Sequence, residues 1–253
     1  MNVALILSGG KGRRMGMHVP KQYVEAGGRP IFTYCIESFS RNSQIDAISI
    51  VADLEWHNLI RKWLNVYDRK EKFRGFSCPG ANRQLSIYNG LCDIRNYATD
   101  KDCVMIHDAV RPLISEEMIR ACFQALEGHD GVMPGLPMID TVYSSVDGSK
   151  ITTLLNRGEI YAGQAPEVFN LGLYYKANQN LLPEQILRIN GSTEPAIMAG
   201  MDIALIPGDV NNFKITAKSD LEKFMLLLES RKEIDGEIYD ESLGASWSER
   251  YKI

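Results

Sequence analysis

Hydrophobic and polar positions along the chain alternate between two periods. Short apolar runs typical of buried strands occupy residues 3–7, 47–52 and 103–107, and a further strand is expected near 73–77. Between them, apolar side chains recur at helical spacing over residues 31–41, 54–66 and 83–97. This alternation predicts an α/β fold, a single Rossmann-like and mostly parallel sheet with helices on both faces. Ligands of such sheets bind at the carboxyl ends of the strands, where Ser8, Gly80 and Asp108 fall, so we expect one cleft there.

The pattern changes between residues 131 and 165, where short β-like pieces and turn residues replace the longer elements. Asp147-Gly148 lies between the pieces 141–143 and 151–152 and predicts a hairpin turn. We therefore expect residues 131–165 to form a hairpin arm. Helical spacing returns over 171–182 and 219–230, with a strand at 203–206 between them. Residues 231–253 show no clear period and are expected to be a tail on a domain of residues 1–230.

Composition limits the class of protein. A chain of 253 residues with 45% hydrophobic and 24% charged residues can bury one full core. Its net charge of −4 gives no electrostatic support for broad binding to nucleic acid or to a membrane surface. The five cysteines are widely spaced with no Cys-x-x-Cys, and no apolar run approaches the roughly 18 residues needed to cross a bilayer. We expect a soluble, cytoplasmic protein with reduced cysteines.

A glycine-rich loop with several cations follows the first strand and runs from Ser8 to Lys21 as Ser-Gly-Gly-Lys-Gly-Arg-Arg-Met-Gly-Met-His-Val-Pro-Lys. Glycines let backbone N–H groups approach an anion and the cations neutralise it, so the loop has the layout of a polyphosphate cradle. Met15 stands where a dinucleotide fingerprint needs its third glycine, and Arg14 and Met15 stand where a P-loop has Lys-Ser/Thr. The loop is therefore a nucleotide loop of another kind or an ordinary surface turn.

Two charged residues elsewhere are candidates for chemistry. Asp108 directly follows a buried strand, where a carboxylate is well placed to hold Mg²⁺ against a triphosphate; a helix cap or loop acid is the alternative. His107, beside it, is more typical of a hydrogen-bonded structural residue than of a catalyst. Lys214 lies between apolar neighbours in the segment 212–216, which is unusual for a lysine, although exposed lysines are common.

Arg83 and Ser86 open a helix after the turn Pro79-Gly80-Ala81-Asn82. A glycine turn beside a helix N-terminus can present backbone donors and a hydroxyl to a base or ribose. A capped helix explains Ser86 equally well.

These motifs, in this order, resemble the CTP-dependent cytidylyltransferases of the methylerythritol-phosphate and ribitol-phosphate family. The resemblance spans about residues 2 to 230 and is carried by the residues at 8–15, 20–23, 80–91, 107–112, 140–141, 156–157 and 212–216. It implies an enzyme that transfers CMP from CTP to a small polyol phosphate, of the ribitol 5-phosphate or 2-C-methyl-D-erythritol 4-phosphate type, and releases pyrophosphate.

The resemblance also implies roles for individual residues. The nucleotide would be bound by Ser8, Gly9, Gly10, Gly12, Gly80, Arg83 and Ser86. The phosphates would face Arg14, Lys21 and Lys214, and Asp108 would hold Mg²⁺ or another divalent cation. The acceptor would contact Ala109, Thr141 and Arg157. Because the arm in that family contributes its threonine and arginine to the partner subunit's site, the resemblance implies a homodimer with a β-hairpin dimerisation arm.

Two departures from the family pattern concern the acceptor side. Ala165 stands where the family usually has a threonine that contacts the acceptor phosphate, and Thr193-Glu194-Pro195 replaces a Thr-Asp pair. A catalytically impaired nucleotide-binding regulatory or scaffold protein is therefore the alternative. Retention of the charged set favours an enzyme, because a binder has little use for charges aimed at a transition state. The sequences around Ser8 and before Ala165 resemble the ribitol-phosphate branch slightly more.

Overall fold

The computed structural model describes residues 1–10 and 19–235. Its strands are, in chain order, β1 (Asn2–Leu7), β2 (Glu25–Ala26), β3 (Arg29–Pro30), β4 (Ala47–Val51), β5 (Phe73–Ser77), β6 (Cys103–Asp108), β7 (Gly131–Pro137), β8 (Tyr143–Ser144), β9 (Thr153–Leu154), β10 (Tyr161–Gly163), β11 (Glu167–Asn170) and β12 (Ile203–Pro207). Its helices are α1 (Phe32–Arg41), α2 (His57–Tyr67), α3 (Arg83–Ile94), α4 (Glu116–Ala125), α5 (Leu171–Gln179), α6 (Glu194–Met198) and α7 (Lys218–Asp235).

The main sheet contains eight strands and is mostly parallel, as the alternation of elements predicts. Its order is β12-β7-β11-β6-β1-β4-β5, and β10 pairs with the far end of β7. Neighbours among β6, β1, β4 and β5 run parallel, and β12 runs parallel to β7. Strand β11 is antiparallel to both β6 and β7. The carboxyl ends of β1, β4, β5 and β6 therefore meet at one edge of the sheet.

Two hydrophobic cores lie on opposite faces of this sheet. Successive side chains of a strand point to opposite faces, and accordingly Ile6 packs with α1, α2 and α4, whereas Leu5 packs with α3, α5 and α6. A third, smaller cluster joins α7 to the β2–β3 hairpin and includes Val110 and Ile215. This cluster brings the segment after β6 and the segment before α7 together.

The arm predicted over residues 131–165 is shorter than expected. Its two ends, β7 and β10, belong to the main sheet, and the hairpin is confined to residues 138–160, which we call the arm hairpin. There β8 pairs with β9 in antiparallel register, and Gly148 adopts a left-handed φ of 75° in the predicted Asp147-Gly148 turn. The hairpin is therefore present, and its role in dimerisation stays a prediction.

Some element boundaries differ from those expected. Helix α4 has no counterpart in the sequence-based prediction, although Ser115 caps it by accepting a hydrogen bond from the Met118 N–H. Helix α3 ends at Ile94, and α7 extends past residue 230 to Asp235.

Within residues 1–10 and 19–235, none of the helices combines the length and the apolar character that crossing a membrane requires.

Candidate active site

Three loops meet at the carboxyl edge of the sheet, as expected from Ser8, Gly80 and Asp108. A Cβ atom added to Gly9 would lie 2.7 Å from Cγ of Pro79, so the loop after β1 and the loop after β5 are in direct contact. From the second of these loops, Arg83 reaches Asp108 at the end of β6. The glycine at position 9 is required by this close approach rather than by its own backbone conformation.

The start of the glycine-rich loop is held by hydrogen bonds to the side chains of Gln22 and Tyr23. Nε2 of Gln22 donates hydrogen bonds to the carbonyls of Ser8 at 2.6 Å and Gly10 at 2.8 Å. The Ser8 hydroxyl donates to the Tyr23 hydroxyl at 3.0 Å, which in turn donates to the Ser8 carbonyl at 3.1 Å. The Ser8 N–H donates to the Val51 carbonyl at 2.8 Å, so contacts of Ser8, Gly9 and Gly10 with a nucleotide stay predictions. Gly12 and Arg14 lie outside the described residues, so their roles stay predictions.

The turn before α3 is held by its own side chains. The hydroxyl of Ser86 accepts from the Gly80 N–H at 2.9 Å and donates to the Asn82 carbonyl at 2.8 Å. Asn82 caps the helix by accepting from the Leu85 N–H at 2.8 Å. Ser86 thus shapes the turn in this structure, and a contact between Ser86 and cytidine stays a prediction.

Asp108 lies at the centre of a cluster of charges. Its Oδ1 accepts from Nε of Arg83 at 3.2 Å and from Nη2 of Arg83 at 3.1 Å. Its Oδ2 is 2.9 Å from Nζ of Lys214 and 3.6 Å from Nε of Arg111. Arg83 and Lys214 are each one-third exposed, whereas the carboxylate itself is buried, so two cations line the surface of the cleft above a buried anion.

The protonation state of Asp108 follows from this arrangement. Burial by itself raises the pKa of a carboxyl, but the charges of Arg83 and Lys214 outweigh burial and hold the pKa of Asp108 well below its usual range. Asp108 is therefore a carboxylate at all physiological pH values. We call Asp108, Arg83, Arg111 and Lys214 the Asp108 cluster.

Lys214 reaches Asp108 because the segment before α7 is tied to the sheet at several points. Nη1 of Arg111 donates to the Asn212 carbonyl at 2.6 Å, and Nδ2 of Asn212 donates to the Ala165 carbonyl at 2.7 Å. The Ile215 N–H donates to the Val110 carbonyl at 2.9 Å. Asn212 and Ile215 are fully buried, which leaves Lys214, between them, directed at the cleft.

Lys21 begins a short 3-10 helix, Lys21–Tyr23, beside the glycine-rich loop. Its charge acts on Asp220 near the start of α7: burial raises the pKa of the Asp220 carboxyl, while hydrogen bonds from Thr216 and Ala217 and the charge of Lys21 lower it. The pKa of Asp220 is lowered overall, and Lys21 therefore lies near the start of α7; its place at the phosphates stays a prediction.

His107 and Ala109 flank Asp108 and are both fully buried. Nε2 of His107 lies 3.0 Å from the Arg111 carbonyl, and burial lowers the pKa of His107 to about 4. A neutral, hydrogen-bonded imidazole agrees with the structural role that the sequence favoured. The Ala109 N–H donates to the Leu7 carbonyl at 3.1 Å, so any contact of Ala109 with an acceptor stays a prediction.

Thr141 and Arg157 lie on the arm hairpin, and both are exposed. Nη1 of Arg157 donates to the Ile139 carbonyl at 2.7 Å, and among the described residues no hydrogen bond or ion pair joins either side chain to the Asp108 cluster. Within one chain, these two predicted acceptor residues are not brought together with the nucleotide residues.

Sequence reasoning missed two charged residues at the site. Arg111 belongs to the motif 107–112 and Glu167 lies two residues after Ala165, but the sequence alone predicts no site role for either. Nη2 of Arg83 lies 4.0 Å from Oε2 of Glu167. The side chains of Glu167 and Arg111 are both largely buried. Arginine and glutamate are seldom buried unless paired, but their burial is visible only once the fold is known.

Comparisons with known proteins agree with this geometry. Residues 2–230 match the family model described as 2-C-methyl-D-erythritol 4-phosphate cytidylyltransferase (IspD). A Lactiplantibacillus plantarum protein named ribitol-5-phosphate cytidylyltransferase is 32% identical, covering 91% of this chain and 100% of that protein. A Streptococcus pneumoniae protein of the same name is 34% identical, covering 88% of this chain and 96% of that protein.

Among solved structures, the chain is similar to 4-diphosphocytidyl-2C-methyl-D-erythritol synthase from Anaerococcus prevotii. The TM-score is 0.77 at 25% identity, and the match covers 90% of this chain and 96% of that chain. The family model thus matches nearly all of the described residues, and relatives above 30% identity extend over most of the chain. The chain belongs to the 2-C-methyl-D-erythritol 4-phosphate cytidylyltransferase family.

Proposed function

We propose that this cytidylyltransferase transfers CMP from CTP to ribitol 5-phosphate and releases pyrophosphate. The observation that carries the proposal is the Asp108 cluster, in which Arg83 and Lys214 present their charges at the cleft beside the glycine-rich loop. The choice of acceptor is supported by the relatives named ribitol-5-phosphate cytidylyltransferase. A methylerythritol phosphate acceptor, which the family description names, is the competing possibility within the same chemistry.

The reaction needs positioning and charge stabilisation more than proton transfer. A phosphate monoester has a second pKa of about 6, so its oxygen is already a nucleophile at neutral pH. This oxygen attacks the α-phosphorus of CTP, a P–O bond forms, and the bond to the β-phosphate breaks with its electron pair leaving on pyrophosphate. Negative charge that develops on the phosphoryl oxygens is stabilised by fixed cations, here Arg83, Lys214 and Lys21.

We propose that the ionised Asp108 carboxylate also holds a divalent cation, which would displace Arg83 or Lys214 from one of the two oxygens that they engage in this structure. Among the described residues no cluster of three or more acidic, histidine or cysteine side chains is placed to hold a metal, so most ligands would come from the nucleotide and water. Mg²⁺ prefers this arrangement, one or two carboxylates together with substrate phosphates. When bound, Mg²⁺ would supply charge neutralisation to the triphosphate. The chain's own contribution is to keep Asp108 ionised and to place Arg83 and Lys214 on either side of it.

We also propose a homodimer in which the arm hairpin of one subunit completes the site of the other. The arm hairpin exposes several large apolar side chains that a second chain would cover, with exposed fractions of 81% for Ile139, 93% for Val146, 69% for Ile151 and 61% for Leu154. Contiguous exposed apolar residues are typical of interfaces.

Cytoplasmic location is supported by the five cysteines, none of which is in a disulfide.

The function is tested by pyrophosphate release from the purified protein with Mg²⁺ and each pairing of nucleotide and acceptor. CTP with ribitol 5-phosphate is expected to give the highest kcat/KM, with UTP, ATP and GTP far slower. A higher kcat/KM with methylerythritol phosphate would reassign the acceptor. Binding of CTP without turnover of any polyol phosphate would favour the impaired nucleotide-binding protein instead.

A further inference from the structure

Glu167 is a buried carboxylate next to the Asp108 cluster, and the chemistry described so far does not use it. It opens β11 and pairs in register with Ile106 of β6, two residues before Asp108. Its Oε1 accepts a hydrogen bond from the Ser192 hydroxyl, whereas its buried Oε2 has no hydrogen-bond partner. Burying a carboxylate oxygen that accepts no hydrogen bond costs free energy of folding, so the presence of Glu167 calls for a compensating role.

Arg83 is the cation that faces this bare oxygen. Nη2 of Arg83 is 4.0 Å from Oε2 of Glu167 and 3.1 Å from Oδ1 of Asp108, so the guanidinium lies between two carboxylates and is closer to Asp108. Burial raises the pKa of the Glu167 carboxyl above its usual range, and the charge of Arg83 and the hydrogen bond from Ser192 offset only part of that rise. Of the groups around Glu167, Arg83 is the one whose closer approach most favours the ionised form.

A closed ring of contacts connects Glu167 back to Arg83. The Ser192 carbonyl accepts from the Tyr174 hydroxyl at 2.6 Å, and Nε2 of Gln84 donates to that hydroxyl at 3.1 Å. Gln84 follows Arg83 in the first turn of α3, and Tyr174 and Gln84 are both buried. Glu167 therefore joins the start of α3 to the segment Ser192-Thr193, which precedes α6.

The charges of the site explain why a second carboxylate is useful. Three cations surround Asp108, so the group carries a net positive charge whether Glu167 is protonated or ionised. A triphosphate that enters the cleft would compete with Asp108 for Arg83. Among the described residues, Glu167 is the other carboxylate within 4.0 Å of the Arg83 guanidinium, so its Oε2 would be the remaining anionic partner.

We propose that Glu167 is a positioning residue that retains Arg83 at the reacting phosphates when substrate draws it away from Asp108. This inference rests on the proposed cytidylyl transfer. It assigns to Glu167 an effect on kcat through Arg83, with no direct contact to substrate.

The test compares Glu167→Gln with wild type and with the matched control Glu184→Gln, which changes an exposed glutamate. Glutamine retains the shape and the oxygen that accepts from Ser192, but it removes the charge that faces Arg83. We expect kcat to fall on the order of tenfold to a hundredfold, as for other residues that hold a functional group in place. The KM for CTP should stay the same or decrease, because loss of a negative charge makes the cleft more positive. Glu184→Gln should match wild type.

Glu167→Asp is the second variant. It retains the carboxylate but moves it farther from Arg83, because the side chain is one methylene shorter. A kcat between those of wild type and Glu167→Gln is expected, with Tm close to wild type for both variants. Equal kcat in all proteins, or a rise in KM for CTP that accounts for the whole loss, contradicts the proposal. So does unfolding of both variants at the assay temperature, because Glu167 would then be a residue that the fold requires.

The two proposals fail in different ways. If wild type releases no pyrophosphate with any acceptor, the proposed function is wrong. The inference is then judged by calorimetric titration with CTP, where Glu167→Gln should bind at least as tightly as wild type. Weaker CTP binding by this variant than by Glu184→Gln would overturn it.

Discussion

At the scale of single residues, Asp108 shows how a buried charge is kept ionised. Removing a carboxylate from water favours its neutral form, and only the cations in contact with it reverse that preference. Because Asp108 forms ion pairs with Lys214 and Arg83, it also holds two flexible cations at the cleft before substrate binds. Preorganised charge of this kind costs no reorganisation when the reaction occurs.

Replacing Lys214 by alanine tests whether this charge acts on the transition state. Loss of one preorganised donor typically lowers kcat on the order of a hundredfold or more, and we expect that loss in the pyrophosphate assay. Lys218→Ala removes an exposed lysine from the start of α7 and should keep kcat near wild type. A Lys214→Ala protein with wild-type kcat would make Lys214 an ordinary surface lysine.

At the scale of elements, the turn into α3 is closely packed and carries Gly80 and Ser86, two of the residues predicted to bind the nucleotide. A Cβ atom on Gly80 would lie 2.6 Å from Cβ and 2.8 Å from the backbone carbon of Leu85, and backbone atoms cannot move aside cheaply. In the same turn, the Gly80 N–H donates to the Ser86 hydroxyl, and the turn leads into the helix that carries Arg83. Displacing the turn should therefore disturb both the stability of the protein and the position of Arg83.

Gly80→Ala is expected to destabilise the protein by about 1–3 kcal/mol, as overpacking commonly does, and to raise the KM for CTP. Gly191→Ala is the matched control, because a Cβ atom there meets nothing within 4 Å and φ is not left-handed. Thermal unfolding and steady-state kinetics on both variants give the answer. Equal Tm and equal KM for the two would show that the turn adapts without cost.

Elements formed by neighbouring residues were predictable from the sequence, and those formed by distant partners were not. Strands β1, β4 and β6 are marked by mostly apolar runs, and these strands predict the cleft that holds Asp108. Strand β7, in contrast, contains Pro134 and Gly135, which are typical of turns, and its partners lie more than twenty residues away along the chain. The same reason hides Glu167, whose closeness to Arg83 depends on how β11 pairs with β6.

At the scale of the whole molecule, one chain holds the predicted nucleotide residues apart from two of the predicted acceptor residues, Thr141 and Arg157. The Asp108 cluster lies at the edge of the main sheet, whereas Arg157 lies on the arm hairpin and bonds within it. A second chain could cover the apolar side chains of the hairpin and receive Arg157 at its own site. The proposed dimer would thus explain both the exposure of the arm and the separation of the two sets.

Mixing two inactive variants, Lys21→Ala and Arg157→Ala, tests this arrangement. If each arm completes the neighbouring site, a mixed dimer contains one site with both wild-type residues and one site with neither. In a random mixture about half of the dimers are mixed, so about a quarter of wild-type activity is the most that symmetric closed dimers can recover. Subunit exchange is verified by mass spectrometry before the pyrophosphate assay. Absence of recovery despite verified exchange would place Arg157 in its own subunit's site or outside any site, because only a residue supplied by the partner can complement in this way.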